Sequence, residues 1–133
     1  MKKIFILFAI ISISLIALIS CSGEVNNSLT FQNQASNVIR INFRAEIHTI
    51  ESGQLVKLEN IDPGTYLYVT TYELPSGATS SQTQGDVSGE VELFIGSETL
   101  IAYSSALVDG VYIISASKTT TGGDEDRGNP LDP

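Results

Sequence analysis

The sequence predicts an all-β protein: a β-sandwich of about seven antiparallel strands behind an N-terminal signal helix. Three observations carry this. Apolar and polar residues alternate with a period of two through much of residues 28–118, which lays one face of an extended chain on a core and leaves the other in water. Turn-forming groups recur between the alternating runs: "ESGQ" at 51–54, "DPG" at 62–64 and Asp109-Gly110. No segment beyond the first two dozen residues reads as a helix.

At the start, Lys2 and Lys3 precede an apolar run from Ile4 to Ile19, broken only by Ser12 and Ser14. The run is shorter than the roughly 20 residues a spanning helix needs. A positive start, a short apolar core and small residues at its end read as a secretory signal over residues 1–20; the rival reading is a transmembrane anchor. Leu18-Ile19-Ser20-Cys21 resembles the lipobox of bacterial lipoproteins. The resemblance implies cleavage after Ser20, a diacylglycerol thioether on the Cys21 sulfur and an acyl chain such as palmitate on its new amine. A thiolate is the nucleophile that such chemistry needs, and two or three acyl chains hold a membrane far better than one. The alternative is an ordinary secretory signal with an incidental cysteine. Ser22 follows the cysteine, and by resemblance to the enterobacterial sorting rule this implies the outer membrane of a two-membrane host.

Residues 21–27 read as a lipidated polar tether. The chain carries 7 Lys and Arg against 15 Asp and Glu, a formal net charge of −8, and the loss of Lys2 and Lys3 with the signal makes it more acidic. Nucleic acid and anionic headgroups repel such a surface. Cys21 is the single cysteine, so once lipidated it leaves no thiol for a disulfide or a thiolate metal site.

The strands follow in order. A first is expected near Leu29 to Gln32. Ile39, Ile41, Phe43, Ala45 and Ile47 share one face of a long strand, with Arg40, Asn42, Arg44, Glu46 and His48 on the other. Leu55 to Ile61 and Thr65 to Leu74 come next, joined by the "DPG" turn, where Pro presets φ. Pro75 to Gly85 reads as a polar Ser/Thr-rich loop. Val91, Leu93 and Ile95 alternate with Glu90, Glu92 and Phe94; Leu100 to Ser105 and Val111 to Lys118 complete a domain over residues 28–118. Residues 119–133 hold Gly, Pro and acidic residues and read as a disordered acidic tail. Strands of this number and spacing suggest an immunoglobulin-like or transthyretin-like sandwich. "LENIDPGTYLYVT" at 58–70 resembles the turn and strand of extracellular β-sandwich modules, transthyretin-like and carboxypeptidase-regulatory-like domains among them. The resemblance implies a folding element whose tyrosine packs on the core, and no active site.

Few residues are candidates for chemistry. His48 is the only histidine, and tight zinc sites gather three or four ligands; Asp124-Glu125-Asp126 lacks the ligand spacing of an EF-hand. Ser80-Ser81 and Ser104-Ser105 lack the glycine pattern of a nucleophile elbow. Glu90 and Glu92 share a strand face like a glycosidase pair, yet so small a domain hardly forms the cleft such chemistry needs. No metal, cofactor or phosphate loop is expected. Tyr66, Tyr68 and Tyr72 share one face of a strand, with Thr70 between them, and Leu67 and Val69 share the other. Facing outward, the tyrosines form a binding platform; facing inward, they are core. The expected protein is a non-catalytic binding or structural module, held in the cell envelope by lipid on Cys21 and meeting an envelope protein or glycan. The alternative is a small lipid-anchored envelope enzyme or enzyme inhibitor.

Overall fold

A computed structural model describes residues 25–123; residues 1–20, where a signal is expected, Cys21, residues 22–24 and residues 124–133 lie outside them. The described chain is all-β, as expected, with nine strands rather than about seven: β1 Ser28–Asn33, β2 Ile39–Phe43, β3 Glu46–Ile50, β4 Leu55–Glu59, β5 Gly64–Tyr72, β6 Ser80–Gly85, β7 Gly89–Leu93, β8 Ser97–Val108 and β9 Val111–Gly122. They form a five-stranded sheet, ordered β4-β1-β8-β9-β6, and a four-stranded sheet, ordered β3-β2-β5-β7. Most pairings are antiparallel; β1 with β8 and β6 with β9 are parallel.

The core lies between the sheets. Leu29, Phe31, Ile101, Tyr103, Tyr112 and Ile114 face it from one side, and Ile39, Ile41, Phe43, Tyr68, Val91 and Leu93 from the other, all buried. Tyr66, Phe43, Phe31 and Tyr68 make a chain of tilted or edge-on ring contacts with centroids 5.5–6.1 Å apart, the geometry aromatic quadrupoles favour.

The expected strand through Ile47 is two strands. Arg44 and Ala45, at φ 54° and 61°, form a two-residue turn, and Phe43 pairs with Glu46. Positive φ at both turn residues matches the twist of a hairpin. The turn reverses the chain, so the alternation restarts: Ile47 is 65% exposed, and His48 and Ile50 point to the core side with Ile41 and Ile39. The expected loop at 75–85 contains β6, a strand paired with β9 through Ser80 to Gly85. The expected tail loses Thr119 to Gly122, which pair with Leu100 to Ser97 as the end of β9.

The end of the expected tether, Asn27, belongs to the domain instead. Asn27 is buried; its Nδ2 donates to the Ile61 carbonyl at 2.6 Å and its Oδ1 accepts the Ile61 N–H at 2.8 Å. At the other end of β1, buried Asn33 donates from Nδ2 to the carbonyls of Asn37 and Ile50 at 2.9 Å, and its Oδ1 accepts the Ala35 N–H. Each asparagine supplies an irregular segment with the partners its backbone would otherwise lack.

Candidate binding face

Strand β5 decides the orientation of the tyrosines. It lies between β2 and β7, so its inward face is covered by the other sheet. Tyr68 is 1% exposed, and Tyr66 and Tyr72 are half-buried and packed against the core. Tyr66 Oη donates to the Asp62 carbonyl, closing the turn before β5, and Tyr72 meets the Tyr112 ring at 5.9 Å. Tyr66, Tyr68 and Tyr72 are thus inward-facing side chains, and the outward platform is corrected to its alternative. A central strand presents one face to the core, and here the tyrosine hydroxyls find main-chain partners at its rim: Tyr68 Oη donates to the Asp86 carbonyl at 2.6 Å.

The tyrosine hydroxyls knit β5 to the β6–β7 connection. Tyr103 Oη on β8 lies 2.7 Å from Thr70 Oγ1 and donates to the Val87 carbonyl at 3.1 Å. Burial, with Asp86 adding a like-charge effect, pushes the Tyr68 hydroxyl up to about 12. Burial pushes the Tyr103 hydroxyl up as well, opposed by its bond to Thr70 and aided by the neighbouring Tyr68. Both are neutral structural hydroxyls at physiological pH.

With the tyrosines inside, the outward side of β5 is Thr65, Leu67, Val69 and Thr71. Leu67 and Val69 are 68% and 55% exposed. The register sets Val69 opposite Asn42, which is opposite Ile47, so three apolar side chains gather on the outer face of the four-stranded sheet around one amide. Polar groups rim the cluster: Arg40 on β2, held 3.0 Å from Glu73, Arg44 with its guanidinium carbon 5.8 Å from the Tyr66 ring centre, and Glu90 and Glu92 on β7 opposite Leu67 and Thr65. An apolar centre within a polar rim is the anatomy of a protein interface. The signal was present in the sequence as the pair Leu67 and Val69; Ile47 joined them only because the chain turns at Arg44-Ala45.

A concavity opens where edge strands β3 and β4 leave the sandwich uncovered. This cleft of about 360 Å³ is lined by Phe43, Arg44, Glu46, His48, Lys57, Leu58, Glu59 and Ile61. His48 therefore shares a face with Glu46, as expected, but on the inward side of β3 rather than the outer polar one. Lys57 Nζ stands 3.4 Å from Glu59 Oε1. The lining offers charges of both signs and no hydroxyl or thiol side chain. Among the described residues no group of three or more His, Cys, Asp or Glu is gathered.

The serine candidates lie elsewhere. Ser104 Oγ bonds to Ser115 Oγ at 2.9 Å, and Ser105 Oγ accepts the Ser36 N–H at 2.9 Å. Both serines are on β8, in the sheet opposite His48, and Ser80-Ser81 begin β6. No protein-family model matches this chain, and comparison with curated proteins finds no match.

Proposed function

We propose that this chain is a lipid-anchored protein of the bacterial cell envelope. Its β-sandwich is a non-catalytic binding module that takes an envelope protein or glycan on the outer face of its four-stranded sheet. The anchoring half of the reading is supported by Lys2-Lys3, the short apolar run and Leu18-Ile19-Ser20-Cys21; Ser22 supports the outer membrane as destination. The binding half is carried by one observation. Ile47, Leu67 and Val69 stand together on one sheet face, each more than half exposed. Apolar side chains scattered singly are ordinary on a surface, whereas a contiguous rimmed group marks a contact site. The turn and strand at 58–70 support kinship with transthyretin-like and carboxypeptidase-regulatory-like modules, with the motif acting in folding.

The test is capture from envelope extracts, and on a glycan array, by residues 22–133 and by two variants. Leu67→Glu with Val69→Glu places charge at the centre of the face; Leu100→Glu places it on the outer face of the other sheet. The reading expects capture that the first variant loses and the second keeps. Equal capture by both variants overturns the assigned face.

A further inference from the structure

Four strands end the two sheets: β4 and β6 in one, β3 and β7 in the other. An open edge presents unpaired main-chain groups to any extended chain, and soluble proteins blunt such edges with charge, proline or bulges. Three of the four edges follow this rule. Strand β3 carries Glu46, β4 carries Lys57 and Glu59, and β7 carries Glu90 and Glu92. Strand β6 does not. Its sequence is Ser-Ser-Gln-Thr-Gln-Gly, every residue is exposed, and it holds neither charge nor proline.

The main-chain geometry of β6 specifies what it can accept. The Ser80 N–H donates to the Gly110 carbonyl and the Asp86 N–H to the Ala116 carbonyl. With the two-residue period of a strand, residues 80, 82, 84 and 86 direct their backbone groups at β9, and Ser81 and Thr83 direct theirs away from the sheet. Gln82 stands beside Ile113, between the buried Tyr112 and Ile114, so its side chain lies on the outer face of the sheet. An antiparallel copy of the same strand, related by a two-fold axis at Gln82, would set Ser81 opposite Thr83 of the second copy and Thr83 opposite its Ser81. In an antiparallel ladder these are the pairs that exchange both N–H···O bonds, while Gln82 faces Gln82 as the close, non-bonded pair. The two amides are complementary, since each offers a donor and an acceptor.

For two copies of the chain, charge selects the edge. The chain has a formal net charge of −8, so two copies repel each other over most orientations. Pairing about Val91 on β7 would set Glu90 against Glu92 of the second copy, whereas pairing along β6 sets no charged strand residue against another. We propose that β6 is the self-association edge of this protein, joining two copies antiparallel about Gln82 into one continuous sheet across the dimer. The seam lies on the five-stranded sheet and leaves the Ile47, Leu67 and Val69 face free on both copies.

The test uses the full chain in mild detergent, followed by sedimentation. Gln82→Lys sets two lysines against each other at the axis, and Gln82→Glu sets two glutamates. Each alone is expected to weaken the dimer by at least about tenfold, and an equimolar mixture of the two is expected to restore it, because Lys then faces Glu. Raising salt from about 50 to about 500 mM is expected to tighten the wild-type dimer by screening its net charge. In a parallel test of register, Gln82→Cys is expected to form a disulfide with its own copy under mild oxidation. Gln84→Cys is not, since Gln84 faces Ser80 of the second copy and lies several residues from its own image. A monomeric wild type, a dimer insensitive to both Gln82 charges, or equal cross-linking at 82 and 84 would overturn the proposal. A monomer whose β6 is protected from hydrogen exchange by another segment of the chain would overturn it equally.

Discussion

Replacing Asn27 by Ala removes two side-chain hydrogen bonds at once. Nδ2 no longer reaches the Ile61 carbonyl at 2.6 Å, and Oδ1 no longer takes the Ile61 N–H at 2.8 Å. Ile61 is 2% exposed and Asn27 3%, so water does not readily replace either bond. Each buried main-chain group left without a partner costs about 1–3 kcal/mol. Taking about 1.5 kcal/mol for each gives about 3 kcal/mol, a large share of the roughly 5–15 kcal/mol that holds a domain together. Urea unfolding followed by circular dichroism reads this directly. With an m-value of about 1.5 kcal/mol/M, the midpoint should fall by about 2 M, with m unchanged. Asn26→Gly is the control: Asn26 is exposed at φ 49°, a conformation glycine adopts freely, so its midpoint should hardly move. A fall below about 0.5 M for Asn27→Ala would show that these bonds do not hold residue 27 in the domain.

Other perturbations test separate parts of the account. Tyr68 and Tyr103 have hydroxyl pKa values raised above 10 in the folded state. The unfolded chain therefore releases their protons first: stability is fully present below pH 10 and is lost as pH rises through the window up to about 12 for Tyr68, by at most about 1.4 kcal/mol per pH unit for each group. Urea titrations across that window should show the decline, and Tyr68→Phe should make it shallower; an unchanged slope would contradict the assignment. Ala45→Gly relieves a left-handed alanine at φ 61° and should raise stability by about 0.5 kcal/mol after the entropic cost of glycine, seen as a higher melting temperature; a lower one would contradict the strain assigned to the turn. Cys21→Ser should abolish incorporation of a fatty-acid probe and leave uncleaved precursor, and equal labelling of wild type and variant would remove the anchor from the account.

The fold class was legible because period-two alternation is written into Leu29 to Gln32, Ile39 to Phe43 and Glu90 to Leu93, and because Asp109-Gly110 marks its hairpin with residues that favour positive φ. Three features were not. Arg44-Ala45 turns the chain without a glycine, asparagine or proline, so alternation alone puts Ile47 and His48 on the wrong faces. Strand β6 has no apolar residue because all of it is exposed; it is held by main-chain bonds to β9, which leave no trace in side-chain pattern. Thr119 to Gly122 are polar for the same reason, lying exposed at the end of a hairpin arm. The proposed face was half legible: alternation puts Leu67 and Val69 on one side of β5, but which side faces the core depends on the partner sheet. Asn27 and Asn33 were invisible as structural residues, since a buried asparagine looks like a turn residue until its long-range partner is known.

Site-specific photo-cross-linking in cells reads whether the outer face of the four-stranded sheet is the proposed contact with a partner. A photoreactive residue at Leu67 or at Ile47 should give one discrete adduct, and the same group at Leu100 or at Thr30, on the outer face of the five-stranded sheet, should give none of that species. Adduct at Leu100 and Thr30 with none at Leu67 and Ile47 would place the contact on the other sheet instead.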